Sequence, residues 1–236
     1  FDLIVGDPFN AGGKVWVYYG SQNGVSDSVK SQLHSVTGGS NFGYSVSTAD
    51  VNGDGFSDVI AGCQTESDNR QIGAYVFLGS SSGINELPAW TASVPAGTNY
   101  EAFYYSVSGA GDINNDGFQD IIAGTMSGYA LIYLGDANKG MYESADIVLS
   151  QPYDYFGQSV SSAGDINSDG FDDVAAGSRT TAVFLYYGSQ NGLNSNFSIL
   201  NSGAYNLSSA GDFNHDGFGD LITTGLGDGI YLYFGS

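Results

Sequence analysis

Oxygen-bearing residues recur at one fixed spacing four times along this chain. The phrase Asp-x-Asn-x-Asp-Gly-Phe-x-Asp occupies Asp50 to Asp58, Asp112 to Asp120, Asp165 to Asp173 and Asp212 to Asp220. Side-chain oxygens at positions 1, 3, 5 and 9, a glycine at position 6 where the backbone must turn, and the main-chain carbonyl at position 7 make an all-oxygen donor set. Such a set suits a hard cation held by six to eight oxygens at about 2.3–2.6 Å, and the spacing points to calcium. The candidate ligands are Asp50, Asn52, Asp54, Phe56 and Asp58 in the first loop, and Asp112, Asn114, Asp116, Phe118 and Asp120 in the second. Asp165, Asn167, Asp169, Phe171 and Asp173 form the third set; Asp212, Asn214, Asp216, Phe218 and Asp220 form the fourth. The expectation is about one Ca2+ per loop, four in the chain.

Two other readings of the phrase fail. An EF-hand loop ends in a bidentate Glu at position 12 and lies between helices. Here position 12 is Ala61, Ala123, Ala176 or Thr223, and the flanking Asp58-Val59-Ile60-Ala61-Gly62 and its equivalents are short β-prone runs with no helical period. The loops therefore belong on strand-to-strand turns. Plain Asx turns would explain the Asp, Asn and Gly content, but they leave three carboxylates within nine residues repelling one another.

Charge narrows the partners. Only five Lys and Arg stand against 25 Asp and Glu, and four divalent cations would bring the formal charge from −20 to about −12. A nucleic-acid partner needs a basic footprint and is not expected; nor is attachment to an anionic membrane surface. No apolar run reaches the roughly 18 residues of a membrane span, so no membrane insertion is expected. A single cysteine, Cys63, rules out an internal disulfide framework; it fills the slot taken by Thr125 and Ser178 in sister repeats. Catalysis is not expected either. His215 lies inside the fourth loop, His34 in an outer segment, and the carboxylates at fixed spacing are already assigned to metal.

Around each loop the chain writes a four-strand unit. A first strand alternates bulky and small residues, as in Phe42 to Ser47, Phe103 to Ser108 and Phe156 to Ser161, with a degenerate copy at Gly203 to Ser208. After the loop and a second strand comes a third whose apolar residues are unbroken: Val15 to Tyr19, Ala74 to Leu78, Ala130 to Leu134, Val183 to Tyr187 and Ile230 to Phe234, each stopped by glycine. A strand apolar on both faces is covered on both. A more polar segment such as Ser28 to Thr37 or Trp90 to Val94 reads as the outer edge strand. With loop starts 62, 53 and 47 residues apart, such sheets stack as blades of a β-propeller. The fold class is all-β, in four-stranded antiparallel blades: a partial blade at 1–41, complete blades at 42–102, 103–155 and 156–203, and a partial blade at 204–236. The strands number three, four, four, four and three. The two partial sheets leave open edges, which are templates for self-assembly.

The chain resembles the FG-GAP repeats of integrin α-subunit propellers and their bacterial relatives. The FG element stands at Phe42-Gly43 and Phe156-Gly157; GAP-like elements stand at Val5-Gly6-Asp7-Pro8, Ala61-Gly62-Cys63, Ala123-Gly124-Thr125 and Ala176-Gly177-Ser178. Phe103-Tyr104 lacks the glycine, Gly203-Ala204 lacks the phenylalanine, and Thr224 replaces the glycine of the last GAP-like element. The resemblance implies a calcium-stabilised propeller, usually of seven blades, serving adhesion or ligand binding outside the cell, with a protein or glycan ligand at the cell surface. A structural surface or filament component, or an accessory propeller of a secreted enzyme, is the alternative. Tyr100, Tyr104, Tyr142, Tyr153 and Tyr155 fall in or near inter-strand loops, where rings could stack on sugars or anchor an interface. Tyr18, Phe77, Tyr133, Tyr186 and Tyr233, each two residues before a glycine, read as core.

Overall fold

The computed structural model of the chain describes residues 2–10, 12–36, 41–63, 72–93, 104–125, 127–140, 142–179, 182–200, 206–225 and 229–236. Among the described residues none is helical, and five sheets follow one another in chain order. The first contains β1 (Leu3–Asp7), β2 (Lys14–Ser21) and β3 (Gly24–Leu33). The second contains β4 (Val46–Ala49), β5 (Asp58–Gly62), β6 (Ile72–Phe77) and β7 (Trp90–Ser93). The third is built from β8 (Tyr104–Gly111), β9 (Asp120–Thr125), β10 (Tyr129–Tyr133) and β12 (Ile147–Ser150). The fourth is β13 (Ser159–Gly164), β14 (Asp173–Gly177), β15 (Val183–Ser189) and β16 (Gly192–Leu200); the fifth is β17 (Asn206–Gly211), β18 (Asp220–Thr224) and β19 (Ile230–Tyr233). Within each repeat the pairing is antiparallel between sequential strands. These are β-propeller blades.

Period-two alternation sends one face of each sheet to the preceding sheet and the other to the next. In the second sheet Val59, Ala61, Tyr75 and Phe77 pack with Val15, Val17 and Leu33 of the first, while Ile60, Ala74 and Val76 pack with Ile121, Ala123 and Leu131 of the third. Ile122, Ala130 and Ile132 then meet Val174, Ala176 and Phe184, and Ala175, Val183 and Leu185 meet Leu207 and Leu221. The cores lie between sheets, which is why the central strands read as continuous apolar runs. Cys63 is buried, as are Thr125 and Ser178 in the matching slot.

Serine makes the inner strands fit. Ser45 Oγ accepts from Val107 N at 3.0 Å and Ser47 Oγ from Gly109 N at 3.0 Å; Ser159 Oγ accepts from Leu207 N at 2.8 Å and Ser161 Oγ from Ser209 N at 2.9 Å. Among the described residues the inner strands of neighbouring sheets have no ladder between them, so these hydroxyls satisfy amides that face the next sheet.

The structure corrects two expectations. The FG segments are turns rather than the start of the inner strand: Asn41 and Gly43 adopt φ of 61° and 81°, Tyr155 and Gly157 adopt 60° and 83°, and the strands begin later, at Val46 and Ser159. Gly43 N donates to Gly62 O and Gly157 N to Gly177 O, both at 2.9 Å, so FG is bonded to the GAP element of its own sheet. A Cβ on Gly6 or Gly124 would overlap the carbonyl oxygen of Gly43 or Gly157 in the next sheet, so GAP also needs glycine for a close approach. Phe103 and residues 203–205 lie outside the described residues.

The second correction concerns the polar edge expected at Trp90 to Val94. Trp90, Thr91 and Ala92 are buried, because β11 (Tyr142–Ser144), reaching across from the third repeat, pairs in parallel with β7 and forms the outer edge instead. Tyr133 Oη donates to Ser93 O at 2.9 Å, Ser93 Oγ donates to Glu143 O at 2.8 Å, and the Lys139 ammonium lies 5.5 Å from the Trp90 ring centre. At the outer strand of the third sheet, β12, exposure does alternate as an edge strand requires.

Candidate metal centres

All four oxygen-rich loops join an inner strand to the second strand of a sheet, so they lie at one end of the blade row. Each folds around the same bonds. In the second loop Asp112 Oδ1 accepts from Asp116 N at 3.0 Å, its Oδ2 from Gly117 N at 2.9 Å, and Asn114 Oδ1 from Asp116 N at 3.1 Å. Asp116 Oδ1 accepts from Phe118 N at 3.0 Å and its Oδ2 from Asn114 Nδ2 at 2.9 Å. The loops at 50–58, 165–173 and 212–220 repeat this set. Position 4 adopts a left-handed conformation in every copy, at Gly53, Asn115, Ser168 and His215. His215 therefore stands at a fixed left-handed backbone position of the loop.

Position 9 differs from the others. Asp58, Asp120, Asp173 and Asp220 are fully buried. In each, one carboxylate oxygen accepts from the amide at position 2 and the other from the glycine that ends the third strand. Asp120, for example, bonds Ile113 N at 2.9 Å and Gly135 N at 2.7 Å; Asp58 bonds Val51 N and Gly79 N. Burial pushes the Asp58 carboxyl up to about 6 and those of Asp120 and Asp173 up to about 7, against the downward pull of these amides. Asp2, which is exposed, makes one of these two bonds, its Oδ1 accepting from Gly20 N at 2.7 Å. The signal for this role was present in the sequence as the glycine that follows every third strand.

Successive loops are stitched together. The position-8 amide of each loop donates to the position-1 carbonyl of the loop before it: Gln119 N to Asp50 O at 2.9 Å, Asp172 N to Asp112 O at 3.2 Å, and Gly219 N to Asp165 O at 2.9 Å. Asp136, Ser189 and Ser236 likewise donate their amides to the position-2 carbonyls of Val51, Ile113 and Ile166. Position-8 side chains return the bond where they can, Gln119 Oε1 accepting from Asp50 N and Asp172 Oδ2 from Asp112 N, each at 2.8 Å. The Phe118 ring packs over Gly53 of the preceding loop.

The donor set fits a hard divalent cation. Positions 1, 3 and 5 are brought together on one short turn, position 9 forms its inner wall, and all side-chain donors are oxygen. Among the described residues no three His, Cys, Asp or Glu side chains are gathered into a cage, and the position-9 carboxylates are bonded to their amides. An ionised carboxylate has about four acceptor sites, so two amide bonds leave capacity for a further partner at position 9. Among the looser aromatics, Tyr153 and Tyr155 are exposed at the opposite end of the sheets; Tyr100 and the side chains of Tyr104 and Tyr142 lie outside the described residues.

Residues 42–74 match the FG-GAP repeat family and residues 112–176 match the FG-GAP-like repeat family. The chain is 32% identical to human integrin alpha-6 over 154 residues, which is 62% of this chain and 13% of that protein. It is 35% identical to integrin alpha-4 of Xenopus laevis over 162 residues, 62% of this chain and 15% of the relative. To integrin alpha-IIb of Mus musculus it is 29% identical over 208 residues, 78% of this chain and 20% of the relative. The chain thus spans between an eighth and a fifth of the length of these relatives. The matched stretches carry the FG turn, the GAP glycine and the oxygen-rich loop whose bonds are described above, and in them the chain matches FG-GAP repeats and is similar to integrin α subunits.

Proposed function

We propose that this chain is a calcium-stabilised β-propeller module, non-catalytic and extracellular, that serves adhesion or ligand binding. The observation that supports the reading is the row of four oxygen-only loops, whose backbone bonds tie each loop to the one before it across neighbouring sheets. Calcium would be held by the Asp side chains at positions 1, 5 and 9, the Asn oxygen at position 3 and the Phe carbonyl at position 7 of each loop. The cation supplies positive charge beside carboxylates that burial disfavours; the loops supply the fixed turn and the inter-sheet bonds. Calcium in the millimolar range is a property of extracellular fluid, and the integrin names of the relatives support an adhesive role at a cell surface. The test is thermal unfolding in millimolar calcium and in excess chelator, together with adhesion of chain-coated beads to cultured cells under both conditions. Calcium-dependent melting and adhesion support the reading; adhesion and melting both indifferent to calcium refute it.

Self-assembly is the second reading. Position 2 of the loop is buried in Val51 and Ile113, yet Phe213 is 66% exposed, and Ile230 and Phe234 of the same sheet are exposed as well. In the other sheets this face packs against a following sheet, and in this reading a second copy of the chain covers it.

A further inference from the structure

At the end of the sheets opposite the oxygen-rich loops, the turn between β9 and β10 and the connection from β12 to β13 enclose an open cleft of about 710 Å³. Its lining includes Ser127, Tyr129, Gln151, Tyr153, Asp154 and Tyr155. Tyr153 and Tyr155 are 38% and 37% exposed. Both rings are nonetheless held from one side: Tyr153 lies against Phe184 with centroids 5.4 Å apart, and the Arg179 guanidinium stands 5.4 Å from the centre of Tyr155. Gln151 is oriented by donating Nε2 to Tyr186 Oη at 3.0 Å, and Ser178 Oγ ties down the connection by donating to Asp154 O at 3.0 Å.

Tyr155 occupies its place against local preference. Its φ is 60°, and the residue in the same place before the other FG turn is Asn41, φ 61°. Asparagine enters this left-handed region readily, whereas a bulky aromatic there is a true outlier. Strained residues of this kind cluster where a side chain is kept for what it contacts.

We propose that this cleft binds neutral pyranose sugars of a glycan. Aromatic rings fixed from behind offer flat apolar faces to the C–H face of a pyranose, and tyrosine hydroxyls, the Gln151 amide and Ser127 offer uncharged hydrogen-bond partners to its hydroxyls. The formal charge of −20 disfavours sialylated or sulfated glycans. The proposal rests on the reading of the chain as a ligand-binding module and names the ligand class.

The experiment uses the whole chain in calcium on an array of neutral and acidic glycans. Hits, with cellobiose, maltotriose and N-acetyllactosamine as soluble probes, are then measured by saturation-transfer NMR and calorimetry. At least one neutral oligosaccharide is expected to bind. Tyr153→Ala and Tyr155→Ala should each weaken it about tenfold or more, while Tyr231→Ala in the last sheet leaves it unchanged. Tyr155→Asn separates binding from folding: it should raise the melting temperature while losing the sugar. The proposal is overturned if no neutral glycan binds at millimolar concentration, if only acidic glycans bind, or if binding survives both alanine variants. A chain that captures a protein partner through this cleft, but no sugar, also overturns it while leaving the broader ligand-binding reading intact. A loss of calcium-dependent melting with sugar binding preserved does the reverse to the calcium reading.

Discussion

Replacing Asp120 by alanine should destabilise the protein through its amide partners, whether or not calcium is present. Asp120 is fully buried and its two oxygens satisfy Ile113 N at 2.9 Å and Gly135 N at 2.7 Å. Removing the carboxylate leaves two buried donors unsatisfied, each costing about 1–3 kcal/mol, so the expected loss is roughly 2–6 kcal/mol. For a chain of this size 1 kcal/mol moves the melting temperature by about 2–4 °C, and the fall should be about 4–24 °C. Position 5 provides the contrast. Asp116 is exposed, and its amide bond from Phe118 N lies in water's reach. Asp116→Ala should therefore lower the melting temperature in calcium and change it little in excess chelator. The assay is circular dichroism melting of both variants and the parent under both conditions. A fall of less than about 2 °C for Asp120→Ala in chelator, or one that disappears there, would refute the reasoning, because position 9 would then matter only as a metal ligand.

Other outcomes follow from the same geometry. Gly124→Ala, whose Cβ overlaps the Gly157 carbonyl oxygen, should cost about 3 kcal/mol or prevent folding, whereas Gly24→Ala, at φ 96° but with open space around it, should cost about 1 kcal/mol; chemical denaturation of the two variants checks the ranking. Ser159→Ala strips the acceptor from Leu207 N at 2.8 Å and should lose about 1–2 kcal/mol at the junction of the last two sheets, read as earlier exchange of the Leu207 amide. His215→Gly relieves a left-handed non-glycine residue and should stabilise by about 1 kcal/mol in a denaturant midpoint measurement. Asp112→Ala should remove one calcium per chain by calorimetry, while His215→Ala leaves the number unchanged.

The repeat and its central strands were legible because their causes are local. Four copies of one loop phrase, and apolar runs ending in glycine, signal covered sheets without any knowledge of partners. What could not be read depends on contacts between repeats. β11 carries no periodic pattern; it exists because β7, a strand fifty residues earlier, lacks a neighbour on its outer side, as Ser93 Oγ reaching Glu143 O shows. The Phe-Gly pair looked extended because bulky and small residues alternate there, but Gly43 takes a positive φ to bond Gly62, and alternation does not report φ. Within the loop, donor types were readable and their division of labour was not. Position 9 has the same residue type as positions 1 and 5, and only its burial against two amides sets it apart. Position 4 looked variable because its side chains differ, while Gly53, Asn115, Ser168 and His215 share one backbone conformation.

Calcium bound per chain, counted by equilibrium dialysis with melting followed on the same samples, tests the central reading most directly. Four ions per chain are expected; at a hundred times the dissociation constant each would stabilise by about 2.7 kcal/mol, about 11 kcal/mol together, so chelation should lower the melting temperature by about 20 °C or more. No calcium bound at millimolar free concentration, with identical melting curves in calcium and in chelator, would contradict it.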